Sequence, residues 1–162
     1  MKILLVALIL FISVTGCSND TSHNVIARND VSFGMTMDEV KQIETEGKLL
    51  EETTVKLFYT DIEYAGFPVL LEYHFTDGLL AEVSYNFDEE DISEDNYRQI
   101  KFGTLIEKYG EPTDYLYQNS DSRGNPHFDA SWKLAEVTVN MSLRTFPWDE
   151  NPSMYVYIVP NN

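Results

Sequence analysis

The chain is poor in cysteine, in histidine and in positive charge. A single cysteine, Cys17, stands among 162 residues, which excludes an internal disulfide framework. Three histidines, His23, His74 and His127, leave little material for imidazole chemistry. Eleven Lys and Arg face 27 Asp and Glu, for a formal charge of −16. Such a surface repels nucleic acid and anionic lipid headgroups, and no basic stripe or nucleic-acid motif offsets it. There is no Gly-x-Ser-x-Gly elbow, phosphate loop or His-Glu-x-x-His pair. Beyond the first sixteen residues, no run is apolar enough to span a bilayer.

The first sixteen residues are unlike the rest. Met1 and Lys2 give a short basic start, Ile3 to Val14 is apolar except for Ser13, and Val14-Thr15-Gly16-Cys17 follows. Twelve residues are too few for a spanning helix, which needs about 20. They fit the apolar centre of a secretory signal peptide. Val14-Thr15-Gly16-Cys17 resembles the lipobox of bacterial lipoproteins. The resemblance implies cleavage after Gly16 and diacylglycerol on the Cys17 sulfur, hence a membrane partner reached through covalent lipid. Two or three acyl chains hold a protein durably where one is marginal. Ser18 follows the anchor, so the inner-membrane retention signal associated with Asp at that place is missing. The expected location is the cell envelope outside the cytoplasm, on the outer membrane in a cell that has two.

Ten Tyr, nine Phe and two Trp supply ample core for one globular domain. Residues 17–30 read as the lipidated cysteine and a polar tether. Thr36 and Glu39 form a capping box ahead of the stripe Met37, Val40 and Ile43, which predicts a helix over about 37–46. Strands are expected over 54–61, 68–76 and 79–87, the last two joined at Asp77-Gly78. Alternation puts Tyr73, Phe75, Ala81, Val83, Tyr85 and Phe87 inward, and Glu72, His74, Glu82, Ser84 and Asn86 on a wet face. A second helix is expected over 93–100, broken at Gly103, with a new capping box at Thr104 and Glu107. Strands resume at 114–118, 128–133, 134–144 and 154–159.

Two stretches recur in order. Phe33-Gly34-Met35-Thr36-Met37-Asp38-Glu39 matches Phe102-Gly103-Thr104-Leu105-Ile106-Glu107, and Leu80 to Asn86 matches Leu134 to Asn140. The reading is an α+β fold of two tandem units, 31–92 and 93–162. Each unit is a short capped helix followed by antiparallel strands, with the helices on one face of the sheet. Gly34-Met35-Thr36 with Glu39-Val40 resembles the helix start of the SmpA/OmlA family of outer-membrane assembly lipoproteins. Lys108-Tyr109-Gly110-Glu111-Pro112 is similar to the helix end of such units, and the tandem arrangement resembles β-lactamase inhibitor proteins. These resemblances imply a helix-plus-sheet fold and protein binding, and name no partner.

Candidate sites are few. Glu72, His74 and Glu82 share the wet face and form a weak metal or acid–base candidate, although a solvated strand pair is the commoner arrangement. His127 opens a strand after a loop. The acidic run from Asp88 to Asp95 offers carboxylates for calcium but lacks the spacing and glycine of an EF-hand loop. Tyr115 and Tyr117 share one strand face, as do Tyr155 and Tyr157, and an exposed Tyr pair is a favoured protein contact. The expected function is a lipid-anchored, non-catalytic protein-binding module that uses the solvent-facing sheet and needs no cofactor. The alternatives are a structural envelope-assembly lipoprotein and, less favoured, a metal-binding or hydrolytic protein centred on His74.

Overall fold

The computed structural model describes residues 26–118, 127–144 and 153–161. Two short strands, β1 (Ile26–Arg28) and β2 (Val31–Ser32), form a small hairpin. Helix α1 (Met37–Ile43) follows, opened by the Thr36–Glu39 capping box. Eight further strands build one antiparallel sheet: β3 (Lys48–Glu52), β4 (Lys56–Tyr64), β5 (Phe67–Thr76), β6 (Leu79–Phe87), β7 (Asp114–Gln118), β8 (His127–Lys133), β9 (Val137–Arg144) and β10 (Ser153–Pro160). Between β6 and β7 the chain forms α2 (Glu94–Ile100), a π-helical turn (Lys101–Leu105) and α3 (Ile106–Tyr109).

The spatial order is β3-β4-β5-β6-β10-β9-β8-β7. Tight turns set the first hairpins. Ala65-Gly66 and Asp77-Gly78 all have positive φ, the backbone of the primed turns whose twist matches paired strands. A register shift between His74 and Phe75 sets Phe75 opposite Leu80. Leu80 therefore fills the core place expected for Ala81.

One sheet face carries the core. Tyr59, Leu71, Tyr73, Val83, Tyr85, Trp132, Met141, Leu143 and Val156 are buried there with Val40, Tyr97, Ile100 and Leu105 of the helices. A capped helix can lie on a sheet because its apolar stripe and the alternate strand residues both leave water. Edge strand β3 is exposed along its whole length. Its charged Lys48, Glu51 and Glu52 and its bulge hinder pairing with another chain.

The expectation of two tandem helix-plus-sheet units is overturned. Among the described residues strand makes up 54%, in one continuous eight-stranded sheet beside the two-stranded one, with helix confined to two regions. The central β6–β10 pairing runs from Asn86 opposite Tyr155 to Val83 opposite Ile158, so both parts of the chain share one sheet and one core. The proposed second unit fails at its start. Gly103 does not end a helix, and Thr104 does not cap one. Lys101–Leu105 carries the helix through as a π turn, which absorbs the extra residue and lets Ile100 and Leu105 both reach the core. The cap for this region is Ser93, whose side chain accepts from the Asn96 amide.

Helix α1 stops three residues short of the expected Glu46. Glu44 turns extended because its carboxylate is drawn inward. It pairs with Arg28 at 3.6 Å and accepts from the Tyr73 hydroxyl. A buried carboxylate needs such partners.

Candidate functional site

The face of the sheet away from the helices is an open polar surface. Cross-strand register lays its residues out in rows. One row runs Phe58, Glu72, Ser84, Tyr157, Asn140, Ser131 and Asp114. The next holds Leu70, Asn86, Tyr155, Ser142 and Asp129. Tyr155 and Tyr157 thus stand at mid-sheet with a Ser or Asn on each side. Large rings between small neighbours rise above the floor and cover it. Ser84 and Ser142 are only 6% and 3% exposed although they face outward, and the Ser142 hydroxyl is buried without a hydrogen-bond partner.

The two rings lie 5.8 Å apart, tilted by 38°, and both side chains are half-buried. Burial, then Tyr155, Glu82 and Asp129, push the Tyr157 hydroxyl above the usual phenol range. It stays protonated and able to donate at neutral pH. Two shallow troughs meet at this pair. One, of about 430 Å³, is floored by Asp129, Ser131, Asn140 and Ser142. The other, of about 460 Å³, is lined by Lys56, Glu72, His74, Glu82, Ser84 and Asn86.

Glu72, His74 and Glu82 do come together in the second trough, and they are occupied with one another. His74 Nε2 lies 2.8 Å from Glu72 Oε2, and Nδ1 lies 3.7 Å from Glu82 Oε1. An ionised carboxylate only accepts, so the ring carries its proton on Nε2. Lys56 Nζ donates to Glu72 Oε2 at 3.1 Å and Asn86 Nδ2 to Oε1 at 2.8 Å. The His74 hydrogen bond, then Lys56, hold the Glu72 carboxyl below its usual range. Three donors saturate this carboxylate and lower its basicity, which suits a fixed strut better than a general base. Among the described residues no three His, Cys, Asp or Glu side chains are placed to hold a metal ion. That statement covers the acidic run from Asp88 to Asp95, apart from the Glu89 side chain, which lies outside the described residues. There Glu94 pairs with Arg98 and the Asp91 carbonyl accepts from Asn96.

The four candidate tyrosines are not one surface. Tyr155 and Tyr157 share the open face. Tyr115 pairs with Ala130, which is buried in the core, and its ring lies under Lys101 Nζ, 3.5 Å from the ring centre. The Tyr115 ring therefore turns to the helix-bearing face, although the residue also lines the trough beside Tyr155 and Tyr157 at the β7 edge. The backbone of Tyr117 pairs with Phe128; its side chain, like that of His127, lies outside the described residues. Gly16, Cys17, the tether and His23 also lie outside them. Among the described residues no helix is long and apolar enough to cross a membrane.

Sequence reasoning missed Lys56, Asn140 and Ser142 as members of the open face. Alternation within β9 places Asn140 and Ser142 together, and the next strand, β10, sets Tyr157 and Tyr155 opposite them, but their meeting with Lys56 and the Glu72 cluster depends on the β6–β10 pairing between strands far apart in the chain. No protein-family model, no curated protein and no solved structure matches this chain.

Proposed function

We propose that this chain is a lipid-anchored protein of the bacterial cell envelope and a non-catalytic protein-binding module. In this reading residues 1–16 are a signal peptide, Cys17 carries the lipid, and the open sheet face receives the partner. The observation that carries it is the Tyr155–Tyr157 pair, half-buried at mid-sheet between two polar troughs, with no hydrogen bond to either hydroxyl among the described residues. Tyrosines in such a place offer a large rigid contact with a donor at the tip, and interface hot spots are enriched in them. The saturated Glu72 cluster gives the rim a fixed shape, which lowers the ordering cost of binding.

Two measurements test this reading. Fatty-acid labelling should mark the wild-type protein and not a Cys17→Ser variant; equal labelling, or none in either, removes the anchor. Capture from detergent-solubilised membranes should recover a defined partner, and the Tyr155→Ala/Tyr157→Ala variant should lose at least about tenfold of it, as a hot-spot loss of ~2 kcal/mol demands. Unchanged capture by a folded double variant rejects the open face as the binding surface.

A further inference from the structure

The lipid-anchor reading has a geometric consequence, on which this inference rests. Strand β1, where the described chain begins, lies on the helix side of the sheet. Ala27 is buried in the core, and Arg28 pairs with Glu44 and Glu46 at the end of α1. A cleft beside β1 is walled by Tyr64 and Tyr85 of the sheet and by Lys108 and Tyr109 of α3. Eight residues, 18–25, separate Cys17 from Ile26, a link that reaches about 30 Å at most when fully extended. A lipid on Cys17 would therefore hold the domain close to the bilayer, with the tether leaving from the helix-bearing side.

That side carries a patch with the chemistry of a headgroup layer. Phe102, on the π turn, is 56% exposed, and Tyr115 is 51% exposed. Between them lies Lys101, itself only 5% exposed, whose amine is packed 3.5 Å from the Tyr115 ring centre and 5.0 Å from that of Phe102. Among the described residues no carboxylate lies within ion-pair distance of this amine, whereas neighbouring Arg98 is taken by Glu94. Exposed aromatic rings are the side chains that settle at the headgroup level of a membrane interface, and the buried Lys101 amine holds the Tyr115 ring in place there. Glu107 and Glu111 are exposed on the same segment and the whole chain is acidic, which favours zwitterionic over anionic phospholipid.

We propose that the helix-bearing face, led by Phe102 and the Lys101–Tyr115 stack, lies against zwitterionic phospholipid headgroups, and that the Tyr155–Tyr157 face is thereby turned away from the bilayer toward its partner.

The test uses the full lipidated protein reconstituted into phosphatidylcholine vesicles, with ordinary or brominated acyl chains. Tryptophan is introduced as Phe102→Trp on the helix side or Tyr157→Trp on the open face. Emission above the wild-type background should fall about twofold with brominated lipid for Phe102→Trp, whose ring would sit at the acyl boundary, and stay unchanged for Tyr157→Trp. Equal quenching of both, stronger quenching at 157, or none at 102 in vesicle-bound protein overturns the orientation while leaving the anchor intact. The last result would assign the Phe102 patch to a protein contact instead. Wild-type protein that takes up no fatty acid and does not sediment with the vesicles overturns the anchor, and the orientation with it.

Discussion

The two faces of the sheet are built from the same eight strands and behave as opposites. On the helix side, alternate residues are large and apolar and lock into α1 and α2. On the open side, alternate residues are mostly polar, and Tyr155 and Tyr157 stand between Ser and Asn neighbours. The difference teaches where stability and recognition reside. Burial of apolar surface holds the fold together, whereas an aromatic pair left standing among serines and asparagines adds little to folding and is free to serve a partner. The polar exceptions divide the same way. Glu44 on the core side is enclosed by Arg28 and Tyr73, while Glu72 on the open side is saturated by donors at the surface.

The sharpest way to break this contrast is to remove one large ring from each face. Trp132 is fully buried, and its Nε1 donates to the Gly110 carbonyl at 2.8 Å. Trp132→Ala should cost about 3–5 kcal/mol, and Tyr157→Ala no more than about 1 kcal/mol. Urea denaturation of both variants measures this, and equal losses would erase the distinction between the faces.

The buried ion pair gives the next largest effect. Glu44→Ala strands the Tyr73 hydroxyl and leaves Arg28 with Glu46 alone, and should destabilise by about 2 kcal/mol. Tyr73→Phe, which deletes one hydrogen bond and keeps the ring, should lose about 1 kcal/mol. A Glu44→Ala variant that melts like the wild type would show that this carboxylate is not enclosed.

Smaller again is the stack on the helix side. Tyr115→Ala removes the ring beneath Lys101 and should cost about 1 kcal/mol, whereas Tyr115→Phe should keep most of it. The ratio of the two losses in thermal melts separates ring from hydroxyl.

The smallest effect is one of pH. Glu72 has a lowered folded-state pKa, from its hydrogen bond with His74 and then from Lys56. A depressed carboxyl contributes stability that is fully present above its unfolded pKa and is lost as pH falls through the folded value. The melting-temperature gap between wild type and Glu72→Gln should therefore be constant near neutrality and shrink only in acid, below the usual carboxylate range. A gap that persists at the lowest pH at which the protein still folds would assign the Glu72 effect to packing rather than charge.

Much of the local structure was legible in the sequence because its causes are local. Thr36 and Glu39 cap α1 as their spacing predicts, and Asp77-Gly78 closes the β5–β6 hairpin. The inward set Tyr73, Phe75, Val83, Tyr85 and Phe87 is buried as alternation requires. The misreadings have equally definite causes. Strand β3 was overlooked because Lys48–Glu52 is an exposed edge with no alternation. The apparent second cap at Thr104 gave way to a π turn, since the demand of Ile100 and Leu105 for the core outweighs the preference of Gly103 for a break. The candidate site was half legible. The convergence of Glu72, His74 and Glu82 followed from pairing within one hairpin, but the sequence offered no sign of which tyrosine pair faces outward.

By itself the sequence determined the hairpins, the first helix cap, the apolar and polar faces of β5 and β6, and the acidic character of the whole, because each depends on residues near one another along the chain. The tertiary structure alone decided that both parts of the chain merge into one eight-stranded sheet, that Tyr155 and Tyr157 stand at its centre, and that Tyr115 turns to the other side under Lys101. The first two outcomes rest on the β6–β10 pairing and the third on the β7–β8 register and the π turn that carries Lys101, and strand partners distant in sequence are selected by the shape of the shared core rather than by any local pattern.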